Sequence, residues 1–252
     1  MNTVEGIYAR NSRRNMSLPE RRMRETISMI DAIKEANRAG RKAMILEFKR
    51  QSPSGFRGGL VETPEEFALK IGKSADAISI LTEPDHFRGS LEDGVILQKL
   101  NKPMLMKDFV DRESMVDAAY RSGFDAFLLI ADFLDENRIK DLCRYGEDRG
   151  MEILVEFHSI SAFQKIPEME GVMIGYNRRD LRSLRIDPHE EEALKLMEDR
   201  AGTKILESGI NRSNAEKLIK MPFDACLIGT SVLDDTNFLK EIKEIEGNYH
   251  DE

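Results

Sequence analysis

Residues 43–55 of the chain read AMILEFKRQSPSG. An apolar run leads in, Glu47 and Lys49 stand two positions apart, and Ser-Pro-Ser-Gly closes the segment. Strand side chains alternate between two faces, so Glu47 and Lys49 share one. Burying an unpaired charge is costly. A strand with an acid and an amine on the same side of its last residues is therefore expected to end in a shared polar basin. Whether other segments end the same way decides the fold.

Seven more apolar, β-rich runs stop at polar or glycine residues. They are DAISILTE (76–83), PMLMKDF (103–109), DAFLLI (125–130), EILVEFH (152–158), VMIGYN (172–177), TKILES (203–208) and DACLIG (224–229). Their ends lie about 20 to 36 residues apart, room for one strand and one crossover helix, the unit that makes neighbouring strands parallel. Helix start signals lie between them. TPEEFALKIG offers Thr63 as N-cap, Pro64 at the first helical position and Glu66 to close a capping box. SAFQ (161–164) and SNAE (213–216) repeat that spacing, and DRESMVDAAYRSG is bounded by Asp111 as a cap and Gly123 as an end.

Eight such units with no Pro/Gly/Ser-rich linker predict an α/β fold, a single (β/α)8 TIM barrel over residues 43–252. Residues 1–42, with the amphipathic stretch RRMRETISMIDAIKEANRAG (21–40), read as a helical extension of one or two helices before the barrel. A doubly wound open sheet is the rival, and no G-x-G-x-x-G turn supports it.

In a closed barrel one strand face points at the axis, and the C-terminal rim carries the chemistry. Counting in phase puts Lys107 at the end of the third run, Glu156 and His158 on the fifth, Asn177 and Arg179 on the sixth and Glu207 on the seventh. All stand at strand ends, none at a strand start. Three cations (Lys49, Lys107, Arg179) and three anions (Glu47, Glu156, Glu207) can compensate one another there. Such a cluster can set one lysine up as an acid and one carboxylate as a base. Any single pair reads equally well as a plain rim ion pair; the coincidence across five strands does not. His158 has no second histidine near it in sequence and is read as lining the lip, so no metal site is expected.

Barrels often hold phosphate on the loops after strands seven and eight. Here those loops read ESGINRSNAE and LIGTSVL. Gly209 and Gly229 let backbone N–H groups approach an anion, and Ser208, Thr230 and Ser231 add hydroxyls. A helix starting after each loop would aim its positive end at the same spot. Ser52 and Ser54 stand across the mouth. Composition narrows the partners: 252 residues with 40% hydrophobic and 33% charged side chains form a globular chain, and a net charge of −8 disfavours nucleic acid. No apolar run is long enough to span a bilayer, and the start MNTVEGIYARNSRRNMS lacks a signal-peptide core. Cys143 and Cys226 have no metal or redox spacing, Cys226 reading as a buried thiol. A cytoplasmic setting is expected, as a monomer or weak homo-oligomer.

Taken in order, IDAIKEANRAGRKAMILEFKRQSPSG, ISILTEPDHFRGSLED, PMLMKDFV, VEFHS, IGYNRRDL, LESGI and LIGTSVL resemble the indole-3-glycerol phosphate synthase family, over nearly the whole chain beyond the first 25 or so residues. The resemblance implies a cofactor-free ring closure of 1-(2-carboxyphenylamino)-1-deoxyribulose 5-phosphate to indole-3-glycerol phosphate, carbon dioxide and water. It implies Lys107 as general acid, Glu156 in acid–base or charge-stabilising work, and Glu47 with Lys49 on the substrate. Asn177, Arg179 and Glu207 would position it, with Phe109 also in the substrate site. Ser52, Ser208, Gly209, Gly229 and Thr230 would hold the phosphate. The chain departs from the family pattern at Phe48, Phe157 and Tyr176, which fall out of phase with the axis and are expected to face the helices. It has no tryptophan, so an aromatic contact from the N-terminal segment to the substrate ring would fall to a residue such as Tyr8.

Overall fold

The computed structural model describes residues 3–247 except 12, 15, 17, 18, 54, 60, 187 and 188. Eight parallel strands close in sequence order: β1 (Ala43–Phe48), β2 (Ala77–Leu81), β3 (Met104–Lys107), β4 (Ala126–Ile130), β5 (Glu152–Phe157), β6 (Val172–Asn177), β7 (Lys204–Glu207) and β8 (Ala225–Ile228). The last strand pairs with the first, Ala43 opposite Ala225 and Leu46 opposite Ile228. The expected TIM barrel is present.

Side-chain alternation sorts the strands into two cores. Ala43, Ile45, Leu105, Leu154, Met173 and Ile205 fill the barrel interior. Met44, Leu46, Phe48, Val155, Phe157 and Tyr176 pack outward into the shell of helices. The three bulky departures lie in that shell as expected: the Phe48 ring meets Phe67, and Phe157 meets Phe163 and Tyr176.

Helices α1 (Thr3–Asn11) and α2 (Met29–Arg38) precede the barrel. After β1 comes α3 (Pro64–Lys70), after β2 α4 (Pro84–Phe87) and α5 (Leu91–Leu97), and after β3 α6 (Glu113–Arg121). Then follow α7 (Glu136–Glu147), α8 (Ile160–Phe163) and α9 (Glu190–Met197), one after each of β4 to β6. Helix α10 (Ala215–Lys220) follows β7, and α11 (Thr230–Asp234) with α12 (Phe238–Gly247) completes the chain after β8.

The capping box of Thr63 and Glu66 forms as read. Three other caps differ from expectation. Helix α8 is capped by Ser159, whose extended backbone leaves its Oγ free to accept from the Ala162 N–H, whereas Ser161 is already inside the helix. Asn214 rather than Ser213 precedes α10, and its Oδ1 accepts from the Asn211 N–H in a tight loop instead of closing a box with Glu216. Arg112 rather than Asp111 precedes α6, because the Asp111 carboxylate turns to the Arg112 guanidinium at 3.3 Å. Gly123 follows the end of α6 with φ +86°, a turn that favours glycine.

The N-terminal segment spans the barrel from end to end. Helix α2 plugs the N-terminal end, with Met29, Ile33 and Ala36 against the interior layer of Ala43 and Ala77. The Glu152 carboxylate anchors it, accepting from Ser28 Oγ (2.5 Å) and the N–H groups of Met29 (2.7 Å) and Ile30 (3.0 Å), an anion at a helix N-terminus. The amphipathic stretch 21–40 is helical only from Met29. Before it, Arg22 and Arg24 both reach the buried Asp125, and those reaches are incompatible with a helical turn there. Arg14 then pairs with Asp108 just past β3 (2.7 and 2.9 Å), and α1 lies over the opposite, C-terminal mouth.

Candidate active site

Under α1 the barrel mouth opens into a cavity of about 830 Å³. Part of its lining is apolar: Val4 and Ile7 from α1, Phe109, and Leu128, Ile130 and Leu227 from β4 and β8. The polar lining is Glu47, Lys49, Lys107, Glu156, Asn177 and Arg179. Lys49 Nζ donates to Glu47 Oε1 at 2.6 Å. Lys107 Nζ stands 3.9 Å from Glu47 Oε2 and 3.7 Å from Glu156 Oε2, and donates to Glu207 Oε2. Asn177 Nδ2 donates to Glu156 Oε1 at 3.0 Å, and Asn177 Oδ1 accepts from the Arg179 N–H.

Glu207 stands apart from the others. It is fully buried and lies beneath the cavity floor, touching Lys107 rather than the open space. The reason is Gly175 on β6, two residues before Asn177, the pairing partner of Glu207: a Cβ there would overlap Glu207 Oε1. The missing side chain makes the hole that the carboxylate drops into. Glu207 therefore supports the lysine from below.

The electrostatics follow from burial opposed by pairing. Burial works against the Lys107 ammonium, but Glu207, Glu156 and Glu47 outweigh it and hold its pKa above the ordinary lysine range. For Glu47, burial is outweighed by Lys49 and Lys107, and its pKa lies below the usual carboxylate value. Glu156 goes the other way. Burial, reinforced by the nearby Glu207 charge, pushes its pKa up to about 8 against the pull of Lys107. A carboxyl that keeps its proton near neutrality thus lies beside an ammonium that keeps its own.

Gly229 is required for the Glu47–Lys49 pair at the end of β1. A Cβ at this position would overlap Glu47 Oε1 and come within 3.0 Å of Lys49 Nζ. Gly229→Ala is expected to push Glu47 and Lys49 out of register. Turnover should fall at least about tenfold, since an ångström of misplacement is costly, with little change in melting temperature, as steady-state assay and thermal unfolding will show.

The loops after β7 and β8 meet beside the polar lining. Ser208 and Gly209 both have left-handed backbone, φ +69° and +71°, and Thr230 opens α11 directly after Gly229. Ser231 Oγ donates to the Ile210 carbonyl at 2.5 Å, fastening one loop to the other. Its proton is thereby committed to the fold, unlike the expectation of a hydroxyl offered to an anion. Ser52 lines the same cavity, its N–H bonded to Phe56 O; Ser54 lies outside the described residues. One further difference concerns the lip. Tyr8 packs edge-on against Phe109 (centroids 5.8 Å) and stacks on Phe133 (5.9 Å), so the contribution of α1 to the cavity wall is the aliphatic pair Val4 and Ile7. His158 Nδ1 lies 2.9 Å from the Asn177 carbonyl. Among the described residues no group of three or more His, Cys, Asp or Glu is placed to hold a metal ion, and no helix is long and apolar enough to cross a membrane.

The family model for indole-3-glycerol phosphate synthase matches residues 2–245. The chain belongs to this family. Indole-3-glycerol phosphate synthases of Picrophilus torridus and Thermoplasma volcanium are each 39% identical to it, the first over 94% of both chains, the second over 96% of this chain and 98% of its own. That of Methanocaldococcus jannaschii is 33% identical over 84% of this chain and 80% of its own. Among solved structures, 3-hexulose-6-phosphate synthase from Salmonella typhimurium superposes with a TM-score of 0.65 at 12% identity, covering 81% of this chain and 97% of that one. The alpha subunit of tryptophan synthase from Legionella pneumophila superposes at 0.60 and 11% identity, covering 88% of this chain and 95% of that one. At such identities the likeness is one of barrel fold.

Within this indole-3-glycerol phosphate synthase-family site, two groups escaped the sequence reading. One is the aliphatic face of α1. The other is Arg178, which lines the cavity next to Arg179; one basic residue of two in RRD gives no sign of which turns where.

Proposed function

We propose that this chain closes the indole ring of indole-3-glycerol phosphate from 1-(2-carboxyphenylamino)-1-deoxyribulose 5-phosphate, a small phosphorylated substrate, as a monomer or weak homo-oligomer. The observation that carries the reading is Lys107, an ammonium at a cavity floor within 3.9 Å of carboxyl groups from three different strands. The apolar lining of Val4, Ile7 and Phe109 suits the aromatic ring, and the polar lining suits the ketose.

Lys107 gives a proton to the ketone oxygen while the ring carbon bearing the carboxylate attacks the ketone carbon. The bond to the carboxylate then breaks, carbon dioxide leaves, and its electron pair restores the aromatic ring. Lys49, held by Glu47, protonates the departing hydroxyl, which leaves as water. Glu156, once ionised, takes the proton from the neighbouring ring carbon and the pyrrole ring is complete. Asn177 fixes the Glu156 carboxylate and Arg179 contributes positive charge to a substrate carrying both carboxylate and phosphate. Phosphate lies between Ser208–Gly209, Gly229–Thr230 and Ser52.

The direct test is a fluorescence assay for indole formation with the purified chain and no added metal; absence of product would overturn the reading. Ser208→Asp tests the phosphate position. Aspartate tolerates left-handed backbone, so the variant should fold, and charge repulsion should raise KM at least about tenfold at low ionic strength. An unchanged KM would put the phosphate elsewhere.

A further inference from the structure

Arg178 is 5% exposed and so is Glu190, the first residue of α9; the guanidinium Nε lies 2.5 Å from Glu190 Oε1. A buried ion pair of this kind is costly to assemble, and removing one partner leaves the other charge buried and unpaired. Its other contacts all run to the end of β7. The Arg178 N–H donates to the Glu207 carbonyl at 3.1 Å, and Nη1 donates to the Ser208 carbonyl at 3.3 Å. A Cβ at Gly209 would come within 3.1 Å of the same Nη1. The guanidinium thus lies against two successive residues, Ser208 and Gly209, whose backbones are left-handed. For a serine that conformation is unfavourable, and it persists only where the surroundings impose it.

We infer that the Arg178–Glu190 pair is a strut that holds the Ser208–Gly209 turn in shape and so sets the affinity of the site for phosphate. The inference rests on the phosphate position proposed above. Arg178 is a positioning residue in this account: it acts through the turn, and Glu190 acts through Arg178. The far end of the strut is itself fixed, because the His189 N–H at the start of α9 donates to Tyr176 Oη at 2.9 Å. Tyr176, bulky where the family pattern is small, thereby helps to anchor the helix that carries Glu190.

Glu190→Ala separates the strut from simple charge. Removing an anion near the site should tighten phosphate binding if net charge alone matters; losing the strut should weaken it. Calorimetry with inorganic phosphate is expected to show about tenfold weaker binding for Glu190→Ala and for Arg178→Met. The double variant, neutral at both positions, should lose no more than either alone, because the two residues act as one unit. Anthranilate, which carries no phosphate, should bind all three within about twofold of the parent, and KM should rise while kcat changes less than about threefold. Arg178→Lys keeps the ion pair but not the planar fork; it should lose less than Arg178→Met and supplies the test if that variant fails to fold. Phosphate affinity unchanged or tighter in Glu190→Ala, or equal losses for phosphate and anthranilate, would overturn the strut alone. A parent protein that binds no phosphate would instead overturn the phosphate site, and the strut with it.

Discussion

Lys107→Met should leave a folded barrel whose turnover is lower by about 10²–10⁴-fold, the usual worth of a positioned proton donor. Methionine has nearly the same length and packs well in irregular space, so the cavity keeps its shape while the proton is lost. The variant also strands Glu47, Glu156 and Glu207 around an apolar side chain. Breaking a buried pair from one side costs roughly 3–5 kcal/mol. In the parent the raised Lys107 pKa contributes stability that is fully present below the ordinary lysine value and is lost as pH rises through the raised one. The variant should therefore melt lower across the neutral range. It should recover as pH falls, where Glu156, the carboxyl whose pKa burial already raises, takes up a proton and ceases to repel its neighbours. Thermal unfolding from pH 5 to 9 and steady-state kinetics on the same samples measure both effects. Turnover within about threefold of the parent would show that the ketone oxygen takes its proton from another group, Lys49 being next in reach.

Much of this site was legible because strand periodicity is a local property. Glu47, Lys107 and Glu156 each stand two residues after an apolar neighbour (Ile45, Leu105 and Leu154), Lys49 and Asn177 follow Glu47 and Gly175 in the same phase, and parallel pairing brings their ends to one rim. Depth was not legible. Whether Glu207 faces the cavity or drops under it depends on the empty place at Gly175, on a different strand. The path of the N-terminal segment was hidden for a similar reason. Arg14, Arg22 and Arg24 look like ordinary surface charge until Asp108 and Asp125, about a hundred residues away, are found beneath them. The displaced cap at Ser159 shows the smaller form of the problem. Two serines two residues apart both satisfy a capping rule, and only the backbone dihedral at the strand exit selects between them.

Glu156→Gln is expected to stabilise the protein while abolishing most of its activity. Glu156 Oε1 accepts from Asn177, but Oε2 is buried with no hydrogen-bond partner and Lys107 no nearer than 3.7 Å. That setting raises its pKa to about 8, burial being the first cause and Glu207 the second. Unfolded, the carboxyl ionises in the ordinary range near 4.3. Between those values the folded protein holds a proton that the unfolded chain has released, so this group makes the parent less stable as pH rises from about 4.5 to about 8; above that the penalty is constant. Glutamine cannot ionise and still offers an oxygen to Asn177. The variant should thus match the parent in melting temperature near pH 4.5, gain on it steadily, and hold its lead above pH 8. Catalysis should move in opposition. Glu156 takes the final carbon-bound proton only when ionised, a step after the loss of carbon dioxide, so kcat of the parent should rise with pH through a limb that belongs to this carboxyl, and the variant should lose the limb together with about 10²–10⁴-fold in kcat. A parent profile that falls where this one is expected to rise would make Glu156 the proton donor instead, and would hand the basic step to Glu47, whose pairing with Lys49 keeps it ionised at lower pH.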